Sequence, residues 1–253
     1  MPEYGSFCPL AKAATVLSQR WTLLILRELM CGTSRFNDLE RGLPGISRAL
    51  LSKRLRTLVD CGIITTGEGH VRPTGYYLTQ RGMELTPIVL GIGEWGQRWL
   101  NSGTMPDDID TDLLMWDIHR RIDFERVGEG RLVVEFDFRG LSQRSYWLVC
   151  ENGTASVCFD PPGFENDLMV DADTLTLHDV WLGRADLMMA MKRDSIRVHG
   201  PSALGRKFVQ SLQYSLFAHV PFNGNDPGTL PAAPQPGEDD NSAARKDATA
   251  SAW

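Results

Sequence analysis

From Trp21 to Met30 (WTLLILRELM) apolar residues fall almost all round a helical wheel, which predicts a helix buried on most sides. Gly32 follows as its stop. Cys8 to Leu17 reads as a short helix with Pro9 in its first turn. Ser34 is the expected N-cap of a helix over Arg35 to Arg41, with Phe36, Leu39 and Leu43 on one face. After the turn Gly42, Pro44, Gly45, Ser47 caps the next helix. There Leu51, Leu55, Leu58 and Val59 form a single stripe. Cys61 and Gly62 end it. Ile63–Thr66 and Tyr76–Thr79 read as two strands flanking a turn-rich stretch, Gly67 to Gly75. Arg81 to Leu100 reads as one long helix, apolar at Ile88, Ile92, Trp95 and Trp99.

Asn101 to Asp112 (NSGTMPDDIDTD) is almost free of apolar residues and reads as a linker. A second unit follows over residues 113–222. Leu113 to Ile122 predicts a helix, and Arg131–Arg139 (RLVVEFDFR) alternates as a strand does. Gln143–Glu151 and Ala155–Asp160 flank Asn152-Gly153, a two-residue hairpin turn. Asp167–Asp171 and Ile196–His199 complete the predicted strands. Leu175–Leu182, Ala185–Lys192 and Ala203–Ala218 predict helices. The fold class expected is α+β: a mainly helical N-terminal unit over residues 1–100, then an antiparallel sheet with helices on one face. Asn223 to Trp253 is rich in Pro, Gly, Ala and Asp and reads as a disordered tail.

Charge changes the picture of the first unit. The 253-residue chain has a formal net charge of -6. Residues 1–100 nevertheless hold 12 Lys and Arg against 8 Asp and Glu, and the remainder 14 against 24. The helix after Ser47 carries Arg48, Lys53, Arg54 and Arg56 with no acid before Asp60. Helix, turn, helix and hairpin in that order make a helix-turn-helix with a wing. A helix entering a major groove needs small residues at its leading end and basic or hydroxyl groups outward. Ser47, Arg48, Ala49, Ser52, Lys53 and Arg56 meet that need, and Arg35 precedes them. His70 and Arg72 in the wing are within reach of an adjacent groove or backbone. The competing reading is an amphipathic helix with a solvated basic face.

These residues also carry a resemblance. Trp21 with LLILREL, Gly32, RFNDLERGLPGISRALLSKRLRTLVDCGII, GYYLTQRG and the Trp-bearing helix resemble the HxlR-type winged-helix transcriptional regulators, from Cys8 to about Leu100. The resemblance implies a homodimer on a palindromic DNA operator. Ile88, Ile92, Trp95 and Trp99 offer more apolar surface than one small domain needs, and a partner helix is a natural cover. VRPTGYYLT departs from the wings usual in that family by its Pro73 and Gly75. An N-terminal cysteine is the redox-sensing position in some such regulators, and Cys8 falls there; a small buried thiol is the alternative.

The second unit resembles the sterol-carrier-protein fold in three short pieces: DLMVDAD, WLG and DSIRVHGP. That resemblance implies a small apolar effector in a tunnel. Trp116, Trp147, Phe159, Trp181, Met188 and Met189 are the candidate lining, against an ordinary core as the alternative.

Other signals point away from catalysis. Gly91, Gly93 and Gly96 satisfy G-x-G-x-x-G, but inside a helical pattern, where close packing is the better account. The five histidines lack metal-ligand spacing, and no G-x-S-x-G occurs. No cofactor and no enzyme activity are expected. Five cysteines without CxxC spacing suit a reducing compartment. No signal peptide or membrane span is legible, so a cytoplasmic protein is expected. The function expected is a DNA-binding transcriptional repressor responsive to a ligand. Two alternatives remain open: a thiol-switched regulator with a structural C-terminal unit, and a lipid-carrier-like protein or enzyme.

Overall fold

The computed structural model describes residues 7–67, 74–100, 109–128 and 130–221. In the first unit, helices α1 (Pro9–Leu17), α2 (Thr22–Met30), α3 (Phe36–Arg41) and α4 (Arg48–Asp60) precede a hairpin of β1 (Ile64–Gly67) and β2 (Gly75–Leu78). Helices α5 (Gln80–Met83) and α6 (Thr86–Trp99) follow. Their core is aliphatic: Ile25 and Leu26 of α2, Leu39, the α4 stripe Leu51, Leu55 and Leu58, then Ile64 and Val89. α4 ends where Gly62 adopts φ +66°, with the Ile63 N–H bonded to the Leu58 carbonyl (3.0 Å).

Two expectations for this unit are corrected. The helix expected over 81–100 is broken before Thr86. Pro87 lacks the N–H an interior helical position would bond four residues back, so it sits in the first turn of a new helix. Ser34 does not cap α3. Arg35 occupies the N-cap without a side-chain bond, and the Ser34 carbonyl accepts the Tyr76 N–H (2.8 Å), tying the wing to the helix-turn-helix.

The second unit begins with α7 (Thr111–His119), inside the segment read as linker, where the Asp110 side chain accepts from the N–H groups of Asp112 and Leu113. After α8 (Phe124–Val127) come β3 (Leu132–Arg139), β4 (Ser145–Glu151), β5 (Thr154–Cys158) and β6 (Leu168–Asp173). Then follow α9 (Thr174–Trp181), α10 (Leu187–Lys192), β7 (Ile196–His199) and α11 (Ser202–Ser211). The sheet order is β5-β4-β3-β6-β7. The α+β class is as expected, but the sheet is not wholly antiparallel: β3 and β6 pair in parallel. The chain leaves the β5 edge and crosses to the far side of β3, which reverses its sense relative to a hairpin. One face of the sheet, with Phe136, Phe138, Tyr146, Leu148 and Val170, packs with Met115, Trp181 and Phe208 in a second core.

The closing helix is shorter than expected. It stops at Ser211 because the chain beyond is held by main-chain bonds: Asp123 N–H to the Ser211 carbonyl (2.8 Å) and Gln213 N–H to Arg121 (3.0 Å). The segment that follows turns back across the first unit, where Phe217 meets α6 at Gly93. A Cβ there would lie 2.2 Å from the ring. Close packing thus accounts for Gly93 of the glycine triplet; Gly91 has no such neighbour within 4 Å.

A buried ionic cluster joins the two units. Glu28 of α2 is fully buried. It accepts from Arg120 (Nη1 2.7 Å, Nη2 3.2 Å) and from Trp116 Nε1 (3.3 Å), and it also pairs with Arg27. Arg120 in turn donates to Asp117 (2.7 Å), whose other oxygen accepts from Trp181 Nε1 (2.8 Å). Gly42 makes room: a Cβ there would sit 2.2 Å from Glu28 Oε2 and 2.7 Å from Trp116 Nε1. Gln97 adds a bond to the Leu182 carbonyl (3.2 Å). Burial alone would push the Asp117 carboxyl up, but Arg120, Arg121 and the Trp181 N–H outweigh it and hold the group below its ordinary value. Burial would likewise ease the proton off Arg120, yet Glu28 and Asp117 hold it charged.

Removing one member of such a cluster strands the other charge without water. Arg120→Met is expected to destabilise the protein by about 3 kcal/mol in urea titrations, with the tryptophan signal of the junction lost first. The pH response has a definite sign. A carboxylate depressed by folding contributes its full stability above its unfolded value of about 3.9, and loses it as pH falls through the lower folded value. Acid titration is therefore expected to weaken the native protein below about pH 4, and Arg120→Met is expected to flatten that loss.

Candidate nucleic-acid interface

The outward face of α4 is assembled by its own heptad pattern. With Leu51, Leu55 and Leu58 held in the core, Arg48, Ala49, Ser52, Lys53 and Arg56 are turned to solvent. Ser47 caps the helix, its Oγ accepting from the Leu50 N–H (3.3 Å), and is itself exposed. Arg35 is exposed at the start of α3. All seven are exposed. His70 and Arg72 of the wing lie outside the described residues.

The basic residues of α4 do not all have the same job. Arg54 turns away from the outer face. Its Nε donates to the Arg20 carbonyl (3.1 Å) and its Nη1 to Gln19, so it braces α4 against the α1–α2 connection. Arg48 is exposed but held: it pairs with Glu40 of α3, donates to Asn37 (3.2 Å) and lies 4.9 Å from the Phe36 ring. Lys53 and Arg56 carry no such carboxylate partner among the described residues. An exposed, unpaired cation is the one a phosphate gains most by meeting, because no existing ion pair has to be broken.

The apolar residues expected at a dimer interface lie on one face of α6. Ile88, Ile92, Trp95 and Trp99 are 51%, 48%, 53% and 44% exposed, at helical spacing i, i+4, i+7 and i+11. Phe7, ahead of α1, and Leu10 within it are also exposed. Cys8 precedes α1 and is exposed, which excludes the small buried residue considered for it.

The six residues considered as a pocket do not converge. Trp116 and Trp181 line a common cleft at the junction, and Trp116 also borders a second one with Phe159. Trp147 alternates with the core residues Tyr146 and Leu148, so it stands on the opposite face of the sheet. Met188 and Met189 are exposed on α10, since Leu187 and Ala190 take its inward positions. Sequence reading missed Glu28, Asp117, Arg120 and Arg121. The available signal was a single carboxylate inside a mostly apolar helix, with only the adjacent Arg27 as a local cation. Among the described residues no group of His, Cys, Asp and Glu could hold a metal ion, and no helix is long and apolar enough to cross a membrane.

The HxlR-like helix-turn-helix family matches residues 16–104. The uncharacterized HTH-type transcriptional regulator sll1512 of Synechocystis sp. is 37% identical over 39% of this chain and 74% of its own length. The uncharacterized HTH-type transcriptional regulator YvaP of Bacillus subtilis is 36% identical over 38% of this chain and 93% of its own. Among solved structures, the reduced form of the B. subtilis transcriptional regulator YodB is 27% identical, covers 39% of this chain and 99% of that one, and has a TM-score of 0.33.

If Arg54 is a brace and Arg56 an exposed cation, the two substitutions separate. Arg54→Ala is expected to cost about 1 kcal/mol in chemical denaturation through its lost hydrogen bonds, whereas Arg56→Ala is expected to change stability by less than about 0.5 kcal/mol.

Proposed function

We propose a mode of action for this chain, which belongs to the HxlR-like helix-turn-helix family and is a DNA-binding transcriptional regulator. It works as a homodimeric repressor on a palindromic operator, and its C-terminal unit senses a small ligand. The observation that carries the reading is the outer face of α4, where small, hydroxyl and basic side chains stand together with no acid before Asp60. Ser47, Ala49 and Ser52 let the backbone approach base edges, and Lys53 and Arg56 meet phosphates. The α6 stripe supports the dimer: four large apolar groups in one row are a costly surface to leave in water. A dimer built on α6 must set the two α4 helices about one DNA turn, roughly 34 Å, apart.

The sensing role of the second unit is supported by its attachment. α7 is tied to α2, the helix that forms the floor of the helix-turn-helix core, so a change in the second unit has a direct mechanical path to α4. The segments that resemble a sterol carrier fall on β6, on the end of α9 and on β7 with the start of α11. A thiol-switched alternative retains one observation, the exposure of Cys8. Cys8→Ser with regulation intact would remove it.

Fluorescence polarisation against the protein's own upstream DNA and a scrambled duplex, at two salt concentrations, tests the reading. Selective, salt-dependent binding is expected, with the salt slope reduced by about 1 in Arg56→Ala. Equal binding to both duplexes would leave only a basic patch. Absence of binding would favour the carrier-like or enzymatic alternative. Trp95→Glu is expected to give a monomer by sedimentation velocity and to weaken operator binding at least tenfold, since each half-site then binds alone.

A further inference from the structure

The cleft between the two units has about 240 Å³ of free space, below the roughly 300–1,000 Å³ of drug-sized sites, which suits a one- or two-ring molecule. Its apolar wall is formed by Trp116, Trp181, Leu182 and Phe217. Its polar wall holds three cations, Arg27 from α2 and Arg120 and Arg121 just beyond α7, with Asp117 and His178 beside them.

The charges of this wall do not cancel. Glu28 and Asp117 are the carboxylates of the junction cluster, and three guanidiniums surround them. Arg120 is satisfied by both. Arg121 is 13% exposed, and its one carboxylate contact is long, Asp117 at 3.4 Å; its other bond is to the Cys31 sulfur, at an ordinary 3.4 Å. The Arg27 Nε is buried with no hydrogen-bond partner among the described residues. The acid at the other end of the cleft, Asp110, is taken up by the first amides of α7. It lies about ten residues, roughly 15 Å along the helix, from Arg120 and Arg121. The Arg27 side chain is 30% exposed and that of Arg121 13%, and a guanidinium so largely withdrawn from water gains from an anion that completes its donors. Guanidinium N–H groups in a fork match a carboxylate best.

We propose that this junction cleft is a binding site for a small aromatic or alicyclic carboxylate, its acid group on Arg121 and Arg27 and its ring against Trp116, Trp181 and Phe217. The inference deepens the ligand-sensing part of the proposed function and rests on it for its regulatory meaning. The ligand differs in kind from a lipid in an apolar tunnel: it lies between the units and touches both α2 and α7. An anion added beside Arg120 also competes with Glu28 for that cation, which is how occupancy reaches the helix-turn-helix.

The test uses the full chain and three probes of one shape: 2-naphthoate, its neutral amide 2-naphthamide, and the cation 2-(aminomethyl)naphthalene. Isothermal titration calorimetry is expected to show naphthoate bound at least tenfold more tightly than the amide, and no binding of the amine, because the discriminating contacts are charge-assisted. Arg121→Met is expected to abolish the preference for the acid, and Arg121→Lys to keep part of it. Leu182→Trp, which fills the cleft without altering its charge, is expected to block naphthoate while circular dichroism stays native. Equal binding of acid and amide, preference for the amine, or no naphthoate binding at millimolar concentration would overturn the site. DNA titrations with and without naphthoate separate the two levels. Loss of naphthoate binding in a protein that still selects its operator defeats this site alone. Arg121-dependent naphthoate binding with operator affinity unchanged leaves the site and defeats its regulatory role.

Discussion

A carboxylate with no access to water governs how this molecule is put together. Glu28 lies in a helix whose neighbours are Leu and Ile, and ionised it cannot remain there alone. Among the described residues, its own unit offers Arg27 beside it and the Thr33 hydroxyl at 3.4 Å. The remaining donors, the Arg120 fork and the Trp116 indole, come from α7 across the junction. The first unit is therefore electrostatically complete only when the second is docked. That one requirement explains the bare Gly42, the orientation of Trp116 and the placing of Arg120 and Asp117 on consecutive turns of α7.

The same residue type serves opposite ends here, and environment decides which. Arg54, Arg48 and Arg56 lie on one helix within nine residues. One is spent on a main-chain carbonyl, one on a neighbouring acid and a ring, and one faces solvent without a carboxylate. At the junction the division recurs, with Arg120 satisfied on two sides and Arg121 left with one long carboxylate contact. Counting cations along a sequence measures how much positive charge a segment holds. It does not measure how much is available.

The coupling between the units follows from rigidity. α2 carries Glu28 and, within a turn of it, the core residues Ile25 and Leu26, which pack in the same cluster as Leu51 and Leu55 of α4. Close-packed aliphatic layers transmit a displacement instead of absorbing it. In the proposed sensing role, a shift of α7 would reach α4 through one helix, with no loop in between.

Much of the first unit was legible from period and punctuation. The α4 stripe, its Ser47 cap, the Gly62 stop and the exposed row on α6 are local properties of a helix, and a 3.6-residue period with a capping residue suffices to state them. The hairpin at Asn152-Gly153 is local in the same sense, since positive φ at both positions suits those residues. Other features needed the folded chain. Pro87 broke a helix that hydrophobicity alone had joined. The parallel β3–β6 pair depended on where a crossover placed a strand, and the end of α11 on main-chain partners at residues 121–123. The dispersal of the aromatic and Met residues followed from strand alternation and from which face of α10 met the core. The sequence by itself determined the helix-turn-helix and its basic outer face, because these rest on contacts between residues a few positions apart. Only the tertiary structure decided the partners of Glu28 and the charge of the junction cleft, because those groups lie about ninety residues apart and no period links them.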